Sequence, residues 1–290
     1  MPIPATLVGQ SLGPRSVTLT SRRIMAFAAA TGDRNPRYFD DTDAAGVVAP
    51  PLLAVYLEWP MLVGMRGAFA AVDPAELRRG VHATHDAIFH RLARAGETLH
   101  TTATIVSLDQ RPSGTALLTR LESVDDAGQP VTTTYNGGVY RNVALAGEPT
   151  RLATPPPLPP APADGGWTTT IAVAWDAAHV YTECADIWNP IHTERSVALA
   201  AGLPEIILHG TATLGYAAQA IVDRVCDGDP ARLRRITARF GAMVLMPGTL
   251  TLSVGPATPA ADGATAFGYR VTTADGAPAI REGVAVVGGE

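Results

Sequence analysis

The chain contains no lysine. All 22 of its basic residues are arginine, and 27 acidic residues leave a formal net charge of −5 over 290 residues. No basic block exceeds a few residues, which argues against a nucleic-acid partner or a polybasic membrane contact. Cysteine is nearly absent too. Cys184 and Cys226 are too few for a disulfide framework or a thiolate metal site, so a reduced, cytoplasmic setting is expected. The longest apolar run, 47–65, is broken by three prolines and by Glu58, so no membrane span is expected. The opening Met1-Pro2-Ile3-Pro4 has neither a cationic segment nor an apolar one, and no export signal is expected.

Apolar material is plentiful. Hydrophobic residues make up 47% of the chain and charged residues 17%, enough for a substantial core, and the length suits two domains. One segment divides them. Glu148 to Gly166 reads EPTRLATPPPLPPAPADGG, whose prolines exclude a helix interior or a central strand. The expected organisation is therefore residues 1–148, a semi-rigid linker at 149–166, and residues 167–290.

The two halves repeat each other. Asn35-Pro36 in TGDRNPRYFDD and Asn189-Pro190 in CADIWNPIHTER lie 154 residues apart (189 − 35). An apolar stretch precedes each, Ile24 to Ala30 and Ala178 to Ala185, and an alanine-rich helical turn is expected after each, at Asp43 to Gly46 and Ser196 to Gly202. Val48-Ala49-Pro50-Pro51 then corresponds to Leu208-His209-Gly210-Thr211, each leading into a long apolar segment. ARAGETLHTTATIV pairs with VLMPGTLTLSVG, and DDAGQPVTTTY with TADGAPAIREG. Chance explains one such match, not four in the same order.

Periodicity supplies the coarse structure. Leu214, Ala217, Ala218, Ile221, Val222 and Val225 fall at helical spacing, with Gly210 and Thr211 at the expected start. Leu52 to Val63 is apolar on nearly all sides, which suits an enclosed helix kinked at Pro60. Alternating runs at Thr98 to Leu108, Thr115 to Val124 and Thr132 to Tyr140, separated by turn residues, read as antiparallel hairpins. Each half is then an α+β unit, an antiparallel sheet wrapped around one helix.

These residues carry a family resemblance. Asn189-Pro190-Ile191-His192 followed by Ile206-Ile207-Leu208-His209-Gly210 resembles the hydratase motif of the MaoC-like family, which includes the (R)-specific enoyl-CoA hydratases. Gly32-Asp33-Arg34-Asn35-Pro36 with Val48-Ala49-Pro50-Pro51 is similar to the amino-terminal dehydratase domains fused to such units. The resemblance implies a double hotdog fold, with the two sheets joined side by side. It implies an acyl-CoA or acyl-carrier thioester as substrate, no cofactor, and a homodimer as a candidate assembly.

Hydrating a double bond conjugated to a thioester needs a base for water, an acid for the α-carbon and donors for the enolate oxygen. In the family the motif reads Gly-Asp-x-Asn-Pro-x-His, its Asp and His hold the water, and an amide at the start of the central helix receives the oxyanion. The resemblance assigns His192 as acid/base and Gly210 as oxyanion donor, with Asn189 and His209 supporting substrate binding. The family's Asp position is occupied by Ile187, so Asp186, or Glu183 further back, is the candidate replacement carboxylate. The first half is the complement: Asp33 is present, but Tyr38 takes the histidine's place, and Pro50 and Pro51 have no N–H to offer. The second half is thus expected to hold the working site and the first to help wall an acyl tunnel. Asp33 and His192 are not expected to meet. His82, His85 and His90 suit separate packing roles, and no metal is expected.

Three activities are compatible with this reading. A hydratase or dehydratase of acyl thioesters leads. The broken motifs also fit a catalytically silent thioester-binding module or partner subunit. A hotdog thioesterase would need a carboxylate well inside a central helix, where Glu58 is the only acid.

Overall fold

The computed structural model describes residues 2–42 and 46–289. The first half runs β1 (Ser11–Thr18), α1 (Ser21–Ala30), α2 (Ala54–Gly64), β2 (Gly80–Phe89), β3 (Thr98–Arg111), β4 (Gly114–Asp125) and β5 (Pro130–Arg141). The second runs β6 (Trp167–Val173), α3 (Ala177–Ala185), α4 (Arg195–Ala200), α5 (Gly210–Val225), β7 (Leu233–Phe240), β8 (Gly248–Val254), β9 (Thr265–Thr273) and β10 (Pro278–Val287). All ten strands join one antiparallel sheet in the order β1-β3-β4-β5-β2-β7-β10-β9-β8-β6. Read inward from either edge, the two halves have the same strand order. They meet where β2 pairs with β7.

The central helices sit where the patterning puts them. In α5, Leu214, Ala217, Ala218, Ile221 and Val222 are buried against the second half-sheet, on β7 and β10. Its counterpart α2 packs on β1, β3 and β4, and begins as a tight turn at Pro51–Leu53 before settling into an α-helix. Proline is tolerated there because the first amides of a helix have no intrahelical acceptor. Thr20 caps α1, its hydroxyl accepting from Arg23 N–H at 3.2 Å, and α1 packs on α3 of the other half. One core therefore runs through both units, from Ile24 and Leu57 to Leu214 and Ile236. The helical turn expected at Ser196 to Gly202 is α4. Its counterpart at Asp43 to Gly46 falls mostly outside the described residues, since these exclude 43–45.

The seam is locked from its outer face. Asp86 of β2 takes a bidentate contact from Arg235 of β7, at 2.7 and 2.6 Å, and both side chains are nearly fully buried. Arg235 also donates to the carbonyls of Pro156 and Pro157, so it holds the proline-rich segment against the seam. That segment, 152–166, contains neither helix nor strand. It lies directly on the second half-sheet. A Cβ at Gly255 or Gly268 would collide with the carbonyls of Ala161 and Pro162, so only glycine allows this approach. Among the described residues, no helix is long and apolar enough to cross a membrane.

Candidate active site

The second-half motif is built at the end of α3. Asp186 adopts a left-handed conformation (φ 57°) at the helix C-terminus, which turns the chain and drives Ile187 inward to 3% exposure. A turn at Pro190–His192 follows, with His192 N–H donating to the Asn189 carbonyl at 3.0 Å. On the facing segment, Leu208 N–H donates to Val244 O at 2.9 Å, and this bond fixes the entry to α5. His209 is the N-cap residue of α5, and Gly210 is its first residue.

These two segments bring the histidines together. The His192 and His209 rings stack with centroids 3.7 Å apart. His192 Nδ1 lies 2.7 Å from the Ile207 carbonyl. A carbonyl only accepts, so the neutral ring carries its proton on Nδ1 and leaves the Nε2 lone pair free. Burial holds the His192 pKa below the ordinary histidine value, with the Ile207 contact opposing that shift. His209 is more deeply buried, and burial together with the adjacent His192 pushes it down to about 2. Both rings are therefore neutral at physiological pH. The buried Tyr181 ring lies 5.0 Å from His209, and the Thr182 hydroxyl lies 3.3 Å from His209 Nε2. At Gly210, a Cβ would meet the Phe240 ring at 3.1 Å, so the helix start is closely covered.

The candidate carboxylates lie elsewhere. Asp186 is largely exposed and its oxygen is 3.7 Å from Arg23 of α1. Among the described residues, no hydrogen bond or ion pair joins it to His192. The physical reason is the left-handed turn, which points residue 186 outward and residue 187 inward, so the expected replacement carboxylate does not reach the ring. Glu183 is exposed on α3. Among the described residues no carboxylate bonds His192, and Asn189 contributes its backbone to the turn rather than a side-chain cap.

The first-half motif is arranged differently. Asp33 Oδ1 accepts from Asn35 N–H at 2.9 Å, and Asn35 Nδ2 donates to Gly228 O at 2.7 Å just beyond α5. Burial raises the Asp33 pKa, and burial with the nearby acids raises that of Tyr38. A small pocket beside these two residues is lined by Phe27, Tyr181, Gly215 and Ala218. Asp33 thus faces the flank of α5, whereas His192 faces its start. Sequence reasoning missed Tyr181 and Thr182 because nothing in the motif marks the helix preceding it.

Two hotdog units of one topology, fused in a single chain, define a double hotdog protein. Residues 6–134 match the model of the FAS1-like dehydratase domain region, and residues 167–256 match the MaoC-like domain. Over 162 residues, 54% of the chain, it is 30% identical to peroxisomal multifunctional enzyme type 2 of Drosophila melanogaster, covering 26% of that protein. Over 63 residues, 22% of the chain, it is 44% identical to peroxisomal enoyl-CoA hydratase 2 of Arabidopsis thaliana, covering 20% of it. The matches thus span about a quarter or less of these relatives' length. A MaoC-like dehydratase from Phytophthora capsici shares the fold, with TM-score 0.82 at 19% identity over 98% of this chain and 96% of that one. The chain belongs to the proteins that join a FAS1-like dehydratase region to a MaoC-like domain, and its fold is the double hotdog.

Proposed function

We propose that the protein adds water to trans-2-enoyl-CoA to give 3-hydroxyacyl-CoA, or runs the reverse dehydration, with His192 as acid/base and the Gly210 amide as oxyanion donor. The observation that carries this is the His192 Nδ1 to Ile207 O bond, which leaves Nε2 free on a ring stacked against the residue that opens α5. Nε2 takes a proton from water as the water oxygen bonds to the β-carbon. The π electrons move toward the thioester carbonyl, whose oxygen becomes negative. The first amides of α5 have no intrahelical acceptor, and the helix dipole favours an anion there. His192 then returns its proton to the α-carbon, so one residue serves both directions and the proton count closes.

That no carboxylate among the described residues bonds His192 favours a second reading, a module that binds acyl thioesters without converting them. Glu58, the acid a thioesterase would use, is only 1% exposed and sits in the first-half helix. Purified protein mixed with a trans-2-enoyl-CoA series, followed by loss of the conjugated absorbance, decides between the readings. Hydration by wild type that His192→Ala abolishes supports the proposal. Binding without hydration at every chain length overturns it in favour of the silent module.

A further inference from the structure

The interior of the first half holds polar groups that the hydration chemistry does not use. Glu58 in the middle of α2 is 1% exposed, and its Oε1 has no hydrogen-bond partner. His85 on β2 is equally buried, with both ring nitrogens unpartnered, and the buried hydroxyls of Thr132 and Thr134 on β5 are unpartnered too. These groups share one face. Across β2 and β5, His85 pairs with Asn136, Ala87 with Thr134 and Phe89 with Thr132, and cross-strand partners point the same way. Burial raises the Glu58 pKa and the neighbouring Thr134 hydroxyl opposes that shift, though the two do not meet in a well-formed hydrogen bond.

Three other buried hydroxyls of the same half-sheet are satisfied. Thr101 and Ser123 bond each other at 2.8 Å, and Thr115 donates to Val143 O at 2.8 Å. Each buried polar group left unpaired costs about 1–3 kcal/mol. A cluster of such groups on one patch is where a polar guest would recover that cost. The patch also connects to the thioester end of the molecule. Phe240, which covers Gly210, contacts the His82 ring at 4.8 Å, and His82 contacts His85 at 5.6 Å.

We infer that Glu58, His85, Thr132 and Thr134 form a binding site for a neutral oxygen function, a hydroxyl or keto group, on the acyl part of the thioester. The substrate is then an oxygenated acyl-CoA rather than a plain alkyl one. The inference rests on the proposed function only for where the thioester lies. The chemistry of the donor set selects a neutral guest. His85 is held neutral, its pKa lowered to about 3 by burial and the nearby His82, and it offers one donor and one acceptor. The hydroxyls offer both, the set holds no cation to pair with a carboxylate, and Glu58 repels one whenever it is ionised. Arg235 cannot offset that repulsion, because it is engaged with Asp86 on the opposite face.

The test is equilibrium binding by titration calorimetry, using saturated acyl-CoAs that cannot be hydrated. The probes share one chain length and are unsubstituted or carry a single hydroxyl or keto group at successive positions beyond the β-carbon. At least one oxygenated probe should bind wild type about tenfold more tightly than the plain one, the value of two modest hydrogen bonds. Thr134→Val and His85→Phe should each bring that ratio toward one. Thr134→Val keeps the side chain's shape, and a melting temperature close to wild type certifies the fold. Equal affinity for all probes, or a preference that survives both substitutions, overturns the inference. A clear fall in Thr134→Val stability with no probe preferred by wild type would assign the groups to ordered water, and also overturns it. Discrimination that persists in a protein unable to hydrate any enoyl-CoA would refute the hydratase proposal and leave this site standing.

Discussion

The two halves share a strand order and a central helix but fill the same positions with opposite chemistry. Where the second half opens its helix with His209-Gly210, the first uses Pro50-Pro51. The turn that carries His192 faces a helix start, while the turn that carries Asp33 is tied to Gly228 and faces a helix flank. The second-half helix buries only apolar and small residues on the sheet; the first-half helix buries Glu58 among unpartnered polar groups. On the proposed reading, fusion into one chain lets one unit keep the reactive end of the site while the other shapes its interior.

The sharpest way to break this comparison is at the histidine. His192→Ala should lower kcat/KM for hydration by about 10²–10⁴-fold with the melting temperature retained, while Asp33→Asn should leave most activity. A larger loss at Asp33 would move the site to the first half. Next in size is the seam. Asp86→Ala leaves Arg235 buried without its acid, and denaturant unfolding should show a loss of about 3–5 kcal/mol.

Acidity distinguishes the buried acid of the first half from its buried histidines. Glu58 is raised to about 7 by burial, so the folded state holds that proton more tightly than the unfolded chain. Its contribution is present below about pH 4.5 and lost as pH rises through 7, worth at most about 3 kcal/mol. Burial lowers His82 to about 4 and, with the nearby His82, lowers His85 to about 3. Their contribution has the opposite sign, present above pH 6.5 and lost as acid is added. Glu58→Gln should therefore remove the stability loss seen between pH 5 and 8 and leave the acid limb in place. For the reaction, the lowered His192 pKa keeps kcat/KM on its plateau at neutral pH, with a fall only below the usual histidine midpoint. The smallest effect is expected at Asp186→Asn. It weakens only an exposed ion pair with Arg23, so activity should stay near wild type.

Much of this architecture was legible in the sequence. The repeat at Asn35 and Asn189 and the hairpin turns define two units, and the His-Gly pair before an apolar helix marks the start of α5. The carboxylate was not legible. Asp186 and Ile187 are neighbours, and which one points inward depends on a left-handed residue that spacing does not reveal. Glu58 was legible as the one acid well inside a central helix, but its surroundings were not. Its surroundings depend on Thr134, 76 positions later (134 − 58), brought close by strand pairing rather than by any local pattern.

The clasp between Arg235 and the carbonyls of Pro156 and Pro157 has a consequence for how the chain meets a protease. A long proline-rich segment without helix or strand is ordinarily where a domain pair is nicked. Here its backbone is tied at Pro156, Pro157 and, through the Thr258 hydroxyl, Pro160. Cleavage requires a segment to lift into an enzyme's cleft, and lifting this one would uncover the Arg235 charge. The tether is thereby shielded by the very seam it spans.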